Sequence, residues 1–114
     1  MIVQPRPKAA HWSCEAYRRL VASMDCAHCG KAGPSQCAHT DASKGMALKT
    51  DDRQSFPLCA PTYGRPGCHV VIGSSGYFSK EQRRTLETNY ARKTREHIRN
   101  TGQWLPSWPK WEEE

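Results

Sequence analysis

The sequence predicts a small, loop-rich α+β fold, and three observations carry that prediction. A helix-start signal at Ser79 opens a long helical pattern running to about residue 99. Two short stretches, Gln36-Cys37-Ala38-His39 and Phe56-Pro57-Leu58, have the length and flanking turn residues of a hairpin's two strands. Four cysteines fall in two half-sites around that hairpin, Cys26-x2-Cys29 before it and Cys59-x8-Cys68 after it.

Taken in order, residues 1–10 form an extended arm, since two prolines and no periodicity oppose a helix. Residues 11–24 form the first helix. Ser13 is its expected cap, and Trp12 its staple onto Tyr17. Ala16, Leu20 and Met24 share one face, with Tyr17 and Val21 beside it, and Arg18 and Arg19 stay in water. Cys14 acts as a small apolar residue near the helix start. Cys26-Ala27-His28-Cys29-Gly30 is a knuckle with His28 as exposed filler, and Gly33-Pro34 punctuates the turn after it. On a regular first strand Cys37 shares the face of His39, and it is assigned to packing.

Residues 40–55 are polar and lack periodicity, and so long an irregular stretch in so short a chain points to function. Pro57 makes the return strand an edge or a strand end. Residues 66–72 fit a two-turn helix ended by Gly73. Ser79-Lys80-Glu81-Gln82 is a capping box, and its helix closes near Asn100-Thr101-Gly102. Leu86, Tyr90 and Ile98 mark the expected buried stripe. The last stretch, 101–114, holds Trp104, Trp108 and Trp111, and is expected to fold back onto the core or onto a second copy. All 114 residues make one domain, with a core over 25–75 and a basic helix over 79–100.

The formal net charge is +6, and because Glu112, Glu113 and Glu114 contribute −3, the rest carries +9. The long helix alone holds seven basic residues against three acidic ones. That balance favours a polyanionic partner, with a solvated basic surface as the bland alternative. No apolar run approaches a membrane span, so a membrane partner is not expected. The N-terminal residues lack the apolar centre of a secretory signal, and a reducing cytoplasmic setting is expected.

In such a setting cysteines serve metals more often than disulfides. A CxxC pair puts two sulfurs on one turn, and Zn2+ accepts four thiolates tetrahedrally. Cys26, Cys29, Cys59 and Cys68 are therefore read as a structural zinc clamp, supplying folding energy that a short chain's core lacks. A disulfide pair or buried free thiols remain the competing assignments.

These residues together resemble a known family. Cys26-x2-Cys29, Ala38-His39, Lys44-Gly45, Lys49-x-x-Asp52, Leu58-Cys59 and Cys68-His69 are similar, in order and spacing over roughly residues 24–90, to the HNH endonucleases, and among them to small nucleases carried by prophages. The resemblance implies a zinc-braced ββα-metal core, flanked here by an N-terminal and a long C-terminal helix. It implies hydrolysis of DNA phosphodiesters, with RNA an alternative substrate and phage recombination or replication proteins as possible partners. It makes His39 the general base and His69 a ligand of a catalytic Mg2+ or Mn2+ ion, with Asp41 or Asp52 supplying an oxygen. Lys44 and Lys49 would hold flanking phosphates, as would Arg83 and Arg84 on the basic helix. Two positions depart from the family pattern: Ala38 precedes the base, and Gly73 stands one turn after His69. The alternative from another class is a zinc-braced nucleic-acid-binding accessory protein without catalysis.

Overall fold

The structure is a computed structural model, and it describes residues 12–40, 51–73 and 76–111. The arm over 1–10, the candidate residues Asp41, Lys44 and Lys49, and Glu112, Glu113 and Glu114 lie outside the described residues. In chain order the elements are α1 (Glu15–Ala22), β1 (Gln36–His39), β2 (Ser55–Leu58), α2 (Cys68–Gly73) and α3 (Lys80–Asn100), with a 3-10 turn at Asp52–Gln54 leading into β2. Helices and a two-stranded antiparallel sheet bear out the α+β class.

The hairpin pairs Gln36 with Leu58, Cys37 with Pro57, Ala38 with Phe56 and His39 with Ser55. Side chains alternate across a strand, so this register sorts the core into two clusters. Ala38, Phe56 and Leu58 face one way, onto Cys26, Cys59, Ile72 of α2 and Ala91 of α3. Cys37 faces the other way, towards Tyr17 and Val21 of α1, Ile98 of α3, and the indoles of Trp12, Trp104 and Trp108. Phe56 and Tyr17 are both fully buried, and hiding a ring of that size is worth about 2–3 kcal/mol in transfer free energy. The expected packing role of Cys37 fits its place, where burial pushes its thiol up, away from ionisation.

α1 is shorter than expected, and its start is built differently. Its N-cap is Cys14, with no side-chain cap, and the Ser13 hydroxyl instead accepts from Arg18 at 3.2 Å. The amides of Trp12 and Cys14 donate to the Asp51 and Asp52 carboxylates, each at 2.7 Å. Carboxylates brought from nearly forty residues away thus hold the chain entering α1, at the end of the helix that favours negative charge. The buried face carries Tyr17 and Val21, while Ala16 is exposed. The Trp12–Tyr17 contact is present, edge to face at 5.4 Å.

α3 opens on the anticipated capping box: Gln82 N–H donates to the Ser79 hydroxyl at 3.1 Å, and the Ser79 amide donates to the Gln82 side chain at 2.9 Å. Its buried stripe is rotated from the one expected. Glu87, Ala91, Thr94, Arg95 and Ile98 are buried, whereas Leu86 and Tyr90 are half-buried. Arg95 enters because its guanidinium donates to the Arg53 carbonyl at 2.7 Å and lies 4.5 Å from the Trp111 ring centroid. The tail folds back onto the core, with Trp104 and Trp108 meeting the Tyr17 ring edge-on at 5.5 and 5.3 Å.

Candidate functional site

The four half-site cysteines converge. Their sulfurs all lie within 4.8 Å of one another, and Cys29 and Cys59 are 3.8 Å apart. Four sulfurs held tetrahedrally at about 2.3 Å from one ion are separated by about 3.8 Å. A disulfide needs about 2.05 Å, and all six cysteines are free. The disulfide alternative is therefore set aside, and the cluster is placed to hold one metal ion, with a donor set that suits zinc.

Local structure explains the convergence. Cys26 accepts the amides of His28 and Cys29, each at 3.4 Å, the usual arrangement of a thiolate seated in a tight turn. Burial opposes ionisation of Cys26, but these amides and its neighbours bring its thiol down to about 7. Cys68 moves the opposite way, pushed up by burial and by the thiols of Cys59, Cys29 and Cys26. Negative charge is costly on crowded sulfurs until a cation neutralises it.

The long second half-site closes through a turn in which Thr62 and Arg65 bridge by two backbone bonds. Its return depends on Gly67. A Cβ there would lie 2.4 Å from the Ala60 carbonyl carbon and 2.5 Å from the Cys59 oxygen. His28 is not filler. Its ring bonds the Tyr90 hydroxyl at 2.6 Å, tying the knuckle to α3.

The two candidate catalytic histidines occupy different places. His39 ends β1 as expected, and its Nε2 lies 2.8 Å from Asp52 Oδ1. Asp52 is buried, and its other oxygen takes the Arg18 guanidinium at 2.6 Å and the Cys14 amide at 2.7 Å. His69 heads α2, and its Nδ1 bonds the Gln36 side chain at 2.6 Å. Gln36 and His39 are three residues apart on one strand, which puts them on opposite faces and about 10 Å apart along it. His39 shares the α1 face with Cys37, while α2 packs on the face of Ala38 and Phe56. The hairpin thus stands between the two imidazoles. An ion held by His69 and Asp52 beside the His39 base does not fit this arrangement, since both Asp52 oxygens already serve other groups; Asp41, the alternative oxygen donor, lies outside the described residues. Among the described residues the four cysteines are the only cluster of possible metal ligands.

Of the expected phosphate contacts, Arg83 donates to the Gly73 carbonyl at 3.0 Å, at the end of α2, and Arg84 is half-buried. The residue that sequence reasoning missed at the His39 site is Arg18. It looked like a solvated charge, and its partner lies 34 positions away, beyond any local spacing rule. Comparison with known proteins finds no matching family model, no matching curated protein and no matching solved structure.

Proposed function

We propose that this chain is a zinc-braced, HNH-type hydrolase of nucleic-acid phosphodiesters in which His39 is the general base. The observation that carries the proposal is the grip of buried Asp52 on His39. With Nε2–H donated to Oδ1, the lone pair rests on Nδ1. An imidazole in that tautomer offers Nδ1 to take a proton from an attacking water. The neighbouring carboxylate then stabilises the imidazolium that forms. The His39 side chain is 29% exposed, enough for water to reach it, while Asp52 at 5% is shielded. The net charge of +6 suits a polyanionic substrate. DNA as that substrate, and a phage origin, rest on the family resemblance.

The two metals stand differently. The cysteine cluster suits zinc, which there supplies folding energy rather than chemistry. A catalytic Mg2+ or Mn2+ ion is implied by the resemblance, but of its expected ligands His69 and Asp52 stand apart, and Asp41 lies outside the described residues.

The test is nicking of supercoiled plasmid with Mg2+ or Mn2+ present. His39→Ala should lower the rate roughly a hundred- to ten-thousandfold, and His69→Ala should leave most of it. Equal cutting by wild type and His39→Ala would refute the assignment. The hairpin between His39 and His69 favours a second reading, a nucleic-acid-binding accessory protein without catalysis. Salt-sensitive retention of DNA with no nicking by any variant would establish it.

A further inference from the structure

Beyond His39, the geometry points to a binding site for single-stranded nucleic acid in the groove of the C-terminal tail, where unpaired bases stack on indoles beside a cationic rim. This rests on the nucleic-acid reading above and adds the place and strandedness of binding.

The groove has a volume of about 400 Å³ and is lined by Trp104, Trp108 and Trp111, with Leu105, Arg99 and Lys110 among them. The indoles are half-buried, and Leu105 is 46% exposed. Their inner sides are held in place. Trp104 and Trp108 meet Tyr17 edge-on and each other at 6.0 Å. Trp111 lies under Arg53 and Arg95, whose guanidinium carbons are 5.1 and 4.5 Å from its ring centroid. Rigid aromatic surface that need not be ordered on binding is what a stacked base requires.

Two observations favour nucleic acid over an apolar peptide. The charged residues lining the groove, Arg99 and Lys110, are both cationic, which matches a phosphate backbone. The groove is also linked to the His39 site through a chain of contacts. Arg53 donates to the Lys110 carbonyl at 3.0 Å and binds the Asp51 carboxylate at 2.6 Å. Trp108 meets Trp12 at 5.6 Å, and the Trp12 carbonyl accepts the Asp52 amide at 2.9 Å. Asp52 in turn holds His39. The turn Asp52–Gln54 therefore links the stacking surface to the carboxylate that holds the proposed base. Aromatic faces engage bases only when those bases are unpaired, so single strands are the expected occupant.

The test uses the zinc-loaded full chain and a fluorescein-labelled oligothymidine of about twelve nucleotides, followed by anisotropy without added Mg2+ or Mn2+ so that cutting does not interfere. Lys110→Glu, on an exposed side chain, should weaken binding several-fold and flatten its salt dependence. Trp111→Leu should weaken it by about tenfold or more, with little change in salt dependence. His39→Ala should bind as wild type does, so loss of nuclease activity and loss of this site are read separately. Circular dichroism and zinc content confirm that each variant is folded. Unchanged affinity in folded Lys110→Glu and Trp111→Leu overturns the proposal, as does absence of binding by wild type. Equal affinity for duplex DNA overturns the stacking assignment. Indole quenching by a proline-rich peptide but not by oligothymidine makes the groove a peptide site and overturns it too. Glu112, Glu113 and Glu114 follow in the sequence and repel phosphate, so differences between variants are read rather than absolute affinity.

Discussion

Replacing Asp52 separates its structural role from its proposed chemical one. The carboxylate accepts from His39, Arg18 and the Cys14 amide at 2.8, 2.6 and 2.7 Å. A hydrogen bond to a charged partner contributes about 1.5–3 kcal/mol. The Arg18 side chain is 38% exposed and rehydrates readily, so its share is discounted to below about 1 kcal/mol. Asp52→Ala leaves the Cys14 amide and the His39 ring without their acceptor, and about 2–4 kcal/mol of stability should be lost. At roughly 4 °C per kcal/mol for a chain of this size, the melting temperature should fall by about 8–16 °C.

Asp52→Asn keeps the shape and retains one oxygen for the Cys14 amide, so it should cost only about 1–2 kcal/mol. Its amide nitrogen, turned to His39, donates to Nε2 and forces the ring proton onto Nδ1. The base is then in the wrong tautomer. Nitrogen chemical shifts of the imidazole report that change directly, and plasmid nicking reports its effect. A folded Asp52→Asn protein that nicks at the wild-type rate, or whose Nδ1 stays unprotonated, would refute the assigned role of Asp52.

The metal site gives a second prediction: one zinc per chain by elemental analysis, lost with unfolding in Cys59→Ser. Because Cys26 sits near 7 and Cys68 is pushed up, binding expels protons, so affinity should rise with pH and chelators should strip the ion faster in mild acid. Gly67→Ala should displace the second half-site, since its Cβ meets the Ala60 and Cys59 backbone at 2.4–2.6 Å; slower zinc uptake or faster loss would show it, and unchanged retention would contradict it. Asp51 is half of another acid-sensitive contact. Burial raises its carboxyl pKa, but the Arg53 side chain and the Trp12 and Arg53 amides outweigh burial and leave it lowered. That stability is present above the unfolded carboxyl value of about 3.9 and is lost as pH falls through the lower folded value. Asp51→Asn should flatten the acid limb of a stability-versus-pH curve.

Features encoded over short spans were legible in the sequence. The half-site cysteines converge, Ser79 and Gln82 form their box, and His39 ends a strand, because each depends on neighbours within a few residues or on ligand chemistry. What failed depended on remote partners. Ser13 does not cap α1, and the amides of Trp12 and Cys14 on either side of it go instead to two aspartates just ahead of β2. Arg95 and Glu87 occupy the buried face of α3, where a hydrophobic pattern does not register them. The separation of His39 from His69 follows from which face of the hairpin α2 packs against. No local residue specifies that choice. Alternation on β1, already read between Cys37 and His39, identified their shared face but not what lies across from it.

α3 belongs to both clusters, with Ala91 against the cysteine side and Ile98, two turns further on, against Tyr17. Every tryptophan of the chain, Trp12, Trp104, Trp108 and Trp111, stands on the Tyr17 side or in the tail. A single rod running through two compartments makes it hard for either to loosen alone. Indole emission should therefore sense the sulfur site from a distance, shifting red when the ion is withdrawn although Trp12, Trp104 and Trp108 pack in the other cluster.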